Sequence, residues 1–163
     1  MKPDYKLVAK TRYIHLVSEL AGEIWHEVYQ KLYPKKQLDA VLDALQSPEA
    51  IEAEIDAGMN YFVVLLAGKP VGYFAWEMQN TSLHLAHLYL KPEVRGRGMG
   101  RDIVQYCERL ARADSKGRLW CAVHEKSLPV LGFLKEQRYR VLQSAPQTAA
   151  GYTLPLVELE KHL

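Results

Sequence analysis

Between Arg95 and Arg101 the chain reads Arg-Gly-Arg-Gly-Met-Gly-Arg, with glycines at Gly96, Gly98 and Gly100 alternating with larger residues. Without a Cβ, glycine lets the backbone take positive φ and come close to a bound group. If a helix follows, its first N–H groups have no intrahelical partner, and loop and helix start together form a concavity for anions. Arg95, Arg97 and Arg101 concentrate positive charge at the same spot, and these residues predict a pyrophosphate-type site. Two commoner phosphate loops do not fit. A Walker loop requires Gly-Lys-Ser/Thr where Gly98-Met99-Gly100-Arg101 stands, and a dinucleotide fingerprint requires glycine at Arg101. The alternative is a tight strand-to-helix turn with no ligand.

Immediately upstream, Leu83-His84-Leu85-Ala86-His87-Leu88-Tyr89-Leu90 carries two imidazoles, the side chain whose ordinary titration falls near neutrality. Leu83 and Leu85 share one phase of a strand, Leu88 and Leu90 the other, so alternation breaks at Ala86-His87. One extra, bulged residue would restore a single apolar face and gather His84, His87 and Tyr89 on the opposite one. Either histidine is then a candidate general base; the alternative is a half-exposed strand histidine. His124-Glu125 reads as a solvated turn before a helix, the alternative being a further polar pair at the cleft.

The elements that must position these residues follow from periodicity. Lys6 to Lys10 is an expected first strand. After Thr11 as N-cap, Ile14, Val17, Ala21, Ile24, Trp25, Val28 and Leu32 recur at helical spacing, with Gly22 marking a bend and Pro34 ending the pattern. Leu38, Val41, Leu42 and Leu45 outline a second helix, and Ser47-Pro48 with Gly58 brackets a third. Tyr61–Ala67 and Val71–Trp76 form a hairpin through Gly68-Lys69-Pro70, and Asn80-Thr81 turns into the histidine strand. A helix carrying Met99, Ile103, Cys107, Leu110 and Ala111 on one face follows the glycines. Leu119–Val123 reads as a strand buried on both faces. Ser127-Leu128-Pro129 starts another helix, Val141-Leu142 marks a late strand, and Tyr152–Leu159 a last one with Pro155 at an edge or bulge. The order predicts an α/β layered sheet of mixed direction in one domain, residues 1–163.

Composition narrows the classes. The chain has 163 residues, 48% hydrophobic and 25% charged, enough for a core and too apolar for disorder. A net charge of +2 calls for neither nucleic acid nor an anionic membrane. The longest unbroken apolar run, Tyr61 to Ala67, is far short of the roughly 20 residues that span a bilayer. Met1-Lys2-Pro3-Asp4 leads into no apolar stretch, so no signal peptide is expected. Cys107 and Cys121 lack metal-ligand spacing and read as packed thiols in a reducing cytoplasm, and no metal is expected.

Arg95-x-x-Gly98-x-Gly100, preceded by Leu88-Tyr89-Leu90-x-Pro92 and followed by an amphipathic helix, resembles the acetyl-CoA signature of the GNAT superfamily of N-acetyltransferases. The resemblance implies a GNAT-like mixed, mostly antiparallel central sheet of about six to seven strands flanked by helices. It implies that Arg95, Gly96, Arg97, Gly98, Met99, Gly100 and Arg101 hold the CoA pyrophosphate. Leu88, Tyr89 and Leu90 would bond the pantetheine arm like an added strand, and Ser127 would touch CoA. It further implies acetyl transfer from acetyl-CoA to a primary amine, small or protein-borne, by direct attack in a cytoplasmic monomer or homodimer. In that pattern Ala86 stands where related enzymes often carry glutamate. Ser127, Val130, Leu134, Arg138 and Tyr139 stand where Asn, Ala, Tyr, Gly and Phe are common, so the usual thiolate donor is replaced by Leu134. Tyr139 and Tyr152 are substitutes to consider. Trp25, Tyr29 and Tyr33 form a helical stripe that is either core or, with Glu23, Glu27, Asp39 and Asp43, a wall for a cationic amine; Trp25 and Tyr29 are the acceptor-site candidates. The rival readings are an acyl-CoA sensor of the same fold and a nucleotide enzyme of another.

Overall fold

A computed structural model describes residues 2–163. The chain divides into two compact units, one comprising the sequence up to Ala75 with His87–Met99, the other Trp76–Ala86 with Gly100–Leu163.

The first unit contains β1 (Asp4–Leu7), α1 (Thr11–Tyr29), α2 (Lys35–Gln46), α3 (Pro48–Asp56) and β2 (Asn60–Leu66). It also holds most of β3 (Lys69–Met78) and the second half of β4 (Ser82–Leu90). The apolar stripe of α1 is buried at Ile14, Val17, Ala21, Ile24 and Trp25, meeting Val41 of α2 and Ile51 of α3 in one core. Ser47 caps α3 as its position before proline predicts: its Oγ accepts from the Ala50 N–H at 3.1 Å. Three local expectations need correction. Lys10, not Thr11, is the residue before α1, and it makes no side-chain cap. The helix stops at Tyr29, leaving Leu32 exposed, because Pro34 already requires extended backbone before α2. The β2–β3 turn is Ala67-Gly68, both at positive φ (53° and 77°), with Lys69 and Pro70 already in strand; this two-residue geometry matches the twist of the paired strands.

The second unit contains the remainder of β3 and β4, α4 (Met99–Ala113, from Gly100 onward), β5 (Arg118–His124), α5 (Leu128–Glu136), β6 (Arg140–Ser144), β7 (Gln147–Ala149), β8 (Tyr152–Leu154) and β9 (Leu156–His162). Ile103, Val104 and Cys107 of α4 are fully buried, as are Leu119 of β5 and Leu159 of β9. β5 alternates, with Leu119 and Cys121 buried and Trp120 and Ala122 half-buried, rather than being buried on both faces. The single last strand expected over Tyr152–Leu159 is two, β8 and β9, interrupted at Pro155, which has no N–H for a ladder. β7 and β8 pair as a separate hairpin through Ala150-Gly151.

The main sheet has seven strands in the order β1-β2-β3-β4-β5-β9-β6. β1–β2, β5–β9 and β6–β9 are antiparallel and β4–β5 is parallel, giving the mixed direction that the element order predicts and the mostly antiparallel sheet that the resemblance implies. No described helix is long and apolar enough to cross a membrane.

Candidate active site

After β4, Pro92–Val94 form a single 3₁₀ turn, and the chain runs through Gly96 (φ 76°) and Gly98 (φ 84°) into Met99, the first residue of α4. Left-handed residues at alternate positions ahead of a helix start are the kind of backbone from which an anion nest is built. Gly100 has a different reason to be glycine. A Cβ there would stand 3.4 Å from the Phe133 ring of α5, so the third glycine lets α4 and α5 approach. Arg97 and Arg101 are exposed. The Arg95 guanidinium is committed elsewhere: its Nε donates to the Leu90 carbonyl at 3.0 Å, and its terminal nitrogens bind both Glu27 oxygens at 2.6 and 3.2 Å. Arg95 fastens the loop to α1, while Lys91 pairs with Glu23 at 3.4 Å.

β4 contains the extra residue that its broken alternation implies. Gln79 N–H bonds the Ser82 carbonyl, and Lys91 N–H bonds the Val71 carbonyl. Eight residues of β3 therefore span the same distance as nine of β4, so one β4 residue between these bonds is unmatched. Register with β5 covers Ser82–His84 only, opposite Arg118–Trp120. Beside the second half of β4 lies Gly72 of β3, where a Cβ would come within 2.3 Å of the Tyr89 carbonyl oxygen.

In the first unit, His87 lies in an aromatic and acidic setting. Its ring stacks on Tyr61 (centroids 5.6 Å, 29°), with Tyr73 at 6.2 Å and Tyr89 at 6.4 Å. Its Nε2 is 3.5 Å from Glu54 Oε2 of α3. The same carboxylate oxygen accepts the Tyr61 hydroxyl at 3.0 Å. Behind it runs a buried chain of bonds. Trp25 Nε1 donates to Tyr73 Oη (3.1 Å), Tyr73 to Gln46 Oε1 (2.7 Å), and Gln46 Nε2 to Tyr61 Oη (3.0 Å). Burial pushes the Tyr61, Tyr73 and Tyr89 phenols far up, with neighbouring Glu54 or phenol oxygens adding to it, so all three stay neutral donors. Trp25 is buried and its ring N–H is spent on Tyr73; Tyr29 is half-buried, with its hydroxyl 3.5 Å from that of Tyr89. Of the acids named with that stripe, Glu23 and Glu27 pair with Lys91 and Arg95, and Asp39 pairs with Lys35 and His26.

In the second unit, His84 lies flat on Trp120 (3.8 Å, 2°) with Glu77 3.9 Å from its Nδ1. Gln79 ties the same patch together, accepting from Trp120 Nε1 and Ser82 Oγ and donating to Glu77. The two histidines thus have different surroundings, one a phenol–carboxylate cluster and the other a tryptophan face. Ser127 precedes α5 without capping it. Leu134 is buried. Tyr139 is buried with its hydroxyl donated to Glu108 at 2.8 Å, and burial together with that carboxylate holds it neutral, so it is part of the core. His124 is also buried rather than solvated: its Nδ1 accepts the Lys126 N–H, and desolvation lowers its pKa and keeps it neutral. Cys107 and Cys121 are free and buried, with burial pushing both thiols up to about 12, which makes them inert.

Two residues of this site carry little local signal. Glu54 sits among Glu49, Glu52 and Asp56 on an ordinary charged helix, and nothing nearby marks it as a partner of His87. Gly72 could be noticed as a glycine inside an apolar strand, a sign of close backbone approach.

A left-handed glycine loop between a bulged strand and a helix, in a mixed sheet of this order, defines an acyltransferase architecture, and the chain belongs to the acetyltransferase (GNAT) family, whose model matches residues 19–138. It is 28% identical over 144 residues to the peptidyl-lysine N-acetyltransferase YjaB of Salmonella typhimurium, covering 82% of this chain and 92% of the relative. Among crystal structures it is similar to the PaiA N-acetyltransferase of Thermoplasma acidophilum in complex with coenzyme A (TM-score 0.81, 15% identity, 100% of both chains). It also resembles a GCN5-related N-acetyltransferase of Rhodopseudomonas palustris (TM-score 0.83, 18% identity, 100% of this chain and 97% of that one).

Proposed function

We propose that this chain transfers the acetyl group of acetyl-CoA to a primary amine by direct attack in a ternary complex, with residues 1–163 acting as one acetyltransferase domain in the cytoplasm. The observation that carries this is the succession along β4 and beyond. The strand pairs with β5 over Ser82–His84 only, and it leads into left-handed Gly96 and Gly98 and the start of α4. In this reading the backbone of Leu88, Tyr89 and Leu90 bonds the pantetheine arm. The amides from Gly96 to Arg101, including those of Met99 and Gly100, take the pyrophosphate, with Arg97 and Arg101 as counter-charges and Ser127 as a further contact. Arg95 serves by fixing the loop through Glu27.

Acetyl-CoA supplies an activated acetyl group; the new nitrogen–carbon bond forms as the carbon–sulfur bond breaks, and the electron pair leaves on sulfur. The attacking nitrogen must lose a proton, so a base is needed. His87, beside a carboxylate, is the favoured base, with His84 the second candidate. The acceptor is a lysyl-type amine, supported by the peptidyl-lysine activity named for the YjaB relative, with small polyamine-like amines as the alternative. Tyr29, with Trp25 behind it, belongs to the acceptor side. Two free, buried thiols fit a reducing compartment.

The test is thiol release from acetyl-CoA with a lysine-containing peptide, spermidine and simple alkylamines as acceptors, run beside calorimetry with CoA, ATP and NAD. Amine-dependent thiol release that falls roughly 10²-fold in His87→Gln supports the reading. Tight CoA binding without release for any amine would favour an acyl-CoA sensor, the reading to which the buried aliphatic Leu134 lends weight. Binding of ATP or NAD but not CoA would refute both.

A further inference from the structure

We propose that Glu54 is the positioning residue of the reaction, a carboxylate delivered by α3 that orients His87 and balances the charge it gains. This rests on His87 being the base in the function proposed above.

The direction of the buried hydrogen-bond chain supports it. Indole N–H can only donate, so the Trp25 bond makes Tyr73 Oη an acceptor and sends the Tyr73 hydrogen to Gln46 Oε1. That fixes the Gln46 amide, whose nitrogen then donates to Tyr61 Oη and also to the Leu45 carbonyl. The Tyr61 hydrogen is left for Glu54 Oε2. Every link points one way, and the chain ends on an oxygen suited to be an anion. Gln46, Tyr61, Tyr73 and Trp25 are each 5% exposed or less, so water does not substitute for these bonds. Such an aligned network holds the Glu54 carboxylate in place more firmly than a surface glutamate is held.

The oxygen so held is the one 3.5 Å from His87 Nε2. The groups facing that imidazole are Glu54 from α3, Tyr61 from β2, Tyr73 from β3 and Tyr89 from β4 itself. The three phenols stay neutral, so Glu54 supplies the negative charge among them. With Nε2 carrying its proton toward Glu54, Nδ1 is the nitrogen that receives the proton of the attacking amine, and the resulting imidazolium faces a carboxylate. The proton then passes to water, and the products are the amide and the free thiol, with no oxidant or further reactant. This arrangement supplies from α3 the carboxylate that Ala86 does not supply from the strand.

The test uses the full chain as wild type, Glu54→Gln, Glu54→Leu and His87→Gln. Glu54→Gln keeps the shape and an acceptor for Tyr61 if the leucine variant does not fold. Two readouts are taken: kcat and KM for acetyl-CoA and for a lysine peptide, and the ¹⁵N ring signals of His87 in the CoA-free protein above neutral pH. The expected result is kcat lowered about tenfold to 10²-fold, less than for loss of the base, with the acetyl-CoA KM unchanged. The wild-type ring signals should report the Nε2-protonated tautomer, with that preference weakened in Glu54→Leu. A rise in the lysine-peptide KM at unchanged kcat would place Glu54 in acceptor binding and overturn the proposal. Unaltered turnover in His87→Gln would overturn the base assignment beneath it. Turnover that needs His87 but is indifferent to Glu54, in kcat and in ring signals, would overturn the role of Glu54 alone.

Discussion

Gly72 offers a direct way to move the cofactor strand without touching a side chain. It lies in β3 between Val71 and Tyr73, and a Cβ added there would stand 2.3 Å from the Tyr89 carbonyl oxygen, 2.7 Å from Leu90 Cδ2 and 3.0 Å from Leu90 Cα. The Leu90 methyl can turn aside, but the Tyr89 carbonyl oxygen is backbone and cannot. Ordinary carbon–oxygen approach between strands is about 3.3 Å or more, so Gly72→Ala must part β3 from β4 by about 1 Å at Tyr89. Overpacking of that kind costs about 1–3 kcal/mol. In a chain of this length each kcal/mol moves Tm by about 2–4 °C, so the expected drop is about 4–8 °C near the middle of that range. The displaced backbone is the stretch proposed to bond the pantetheine arm, and a misplacement of about 1 Å can lower kcat/KM by about 10²-fold. Calorimetry gives Tm and acetyl-CoA affinity, and thiol release gives kcat/KM. Gly22→Ala is the control: its Cβ would meet nothing within 4 Å inside α1, and removing a mid-helix glycine stabilises by about 0.5–1 kcal/mol. A Gly72→Ala protein with wild-type Tm, affinity and turnover would refute both the packing argument and the placement of the cofactor along Tyr89.

Three further outcomes are expected. Gly98→Val forces a β-branched residue to φ 84° and should weaken acetyl-CoA binding at least about tenfold by calorimetry in a protein that still folds; unchanged affinity would remove the loop from the cofactor site. Arg138, at φ 72° just past α5, occupies a left-handed position, its N–H bonding the Lys135 carbonyl and the Tyr139 N–H the Leu134 carbonyl; Arg138→Gly should gain about 1 kcal/mol, read as a Tm about 2–4 °C higher. Hydrogen bonds from Arg118 and Arg140 hold the Glu160 carboxyl at about 2 instead of its usual 4.5. Its contribution to stability is therefore complete above pH 4.5 and is lost as pH falls toward 2, so Glu160→Gln should flatten the fall of Tm across that window, and an unchanged slope would disprove the linkage.

Residues that act through their neighbours along the chain were legible, and residues that act through a distant partner were not. The Ser47 cap, the buried stripe of α1, the extra residue in β4 and the left-handed glycines all follow from spacing or backbone chemistry within a few residues. Spacing assigns one purpose to similar residues that the fold then separates. Gly96 and Gly98 take positive φ, whereas Gly100 makes room for Phe133; likewise Arg95 spends its guanidinium on Glu27 while Arg97 and Arg101 stay exposed. His84 and His87 look equivalent as strand imidazoles, yet one rests on Trp120 and the other faces Glu54. Trp25 shows the limit most clearly. As an aromatic on a helical stripe it reads as core or as acceptor wall, and in the structure it is buried, with its ring N–H spent on Tyr73. Its polar effect is nonetheless carried across α2, β2 and β3, because an indole that can only donate sets the direction of every bond from Tyr73 through Gln46 and Tyr61 to Glu54. No periodicity encodes that direction; it arises only when five residues from five elements meet, four of them in a dry core and Glu54 at its edge.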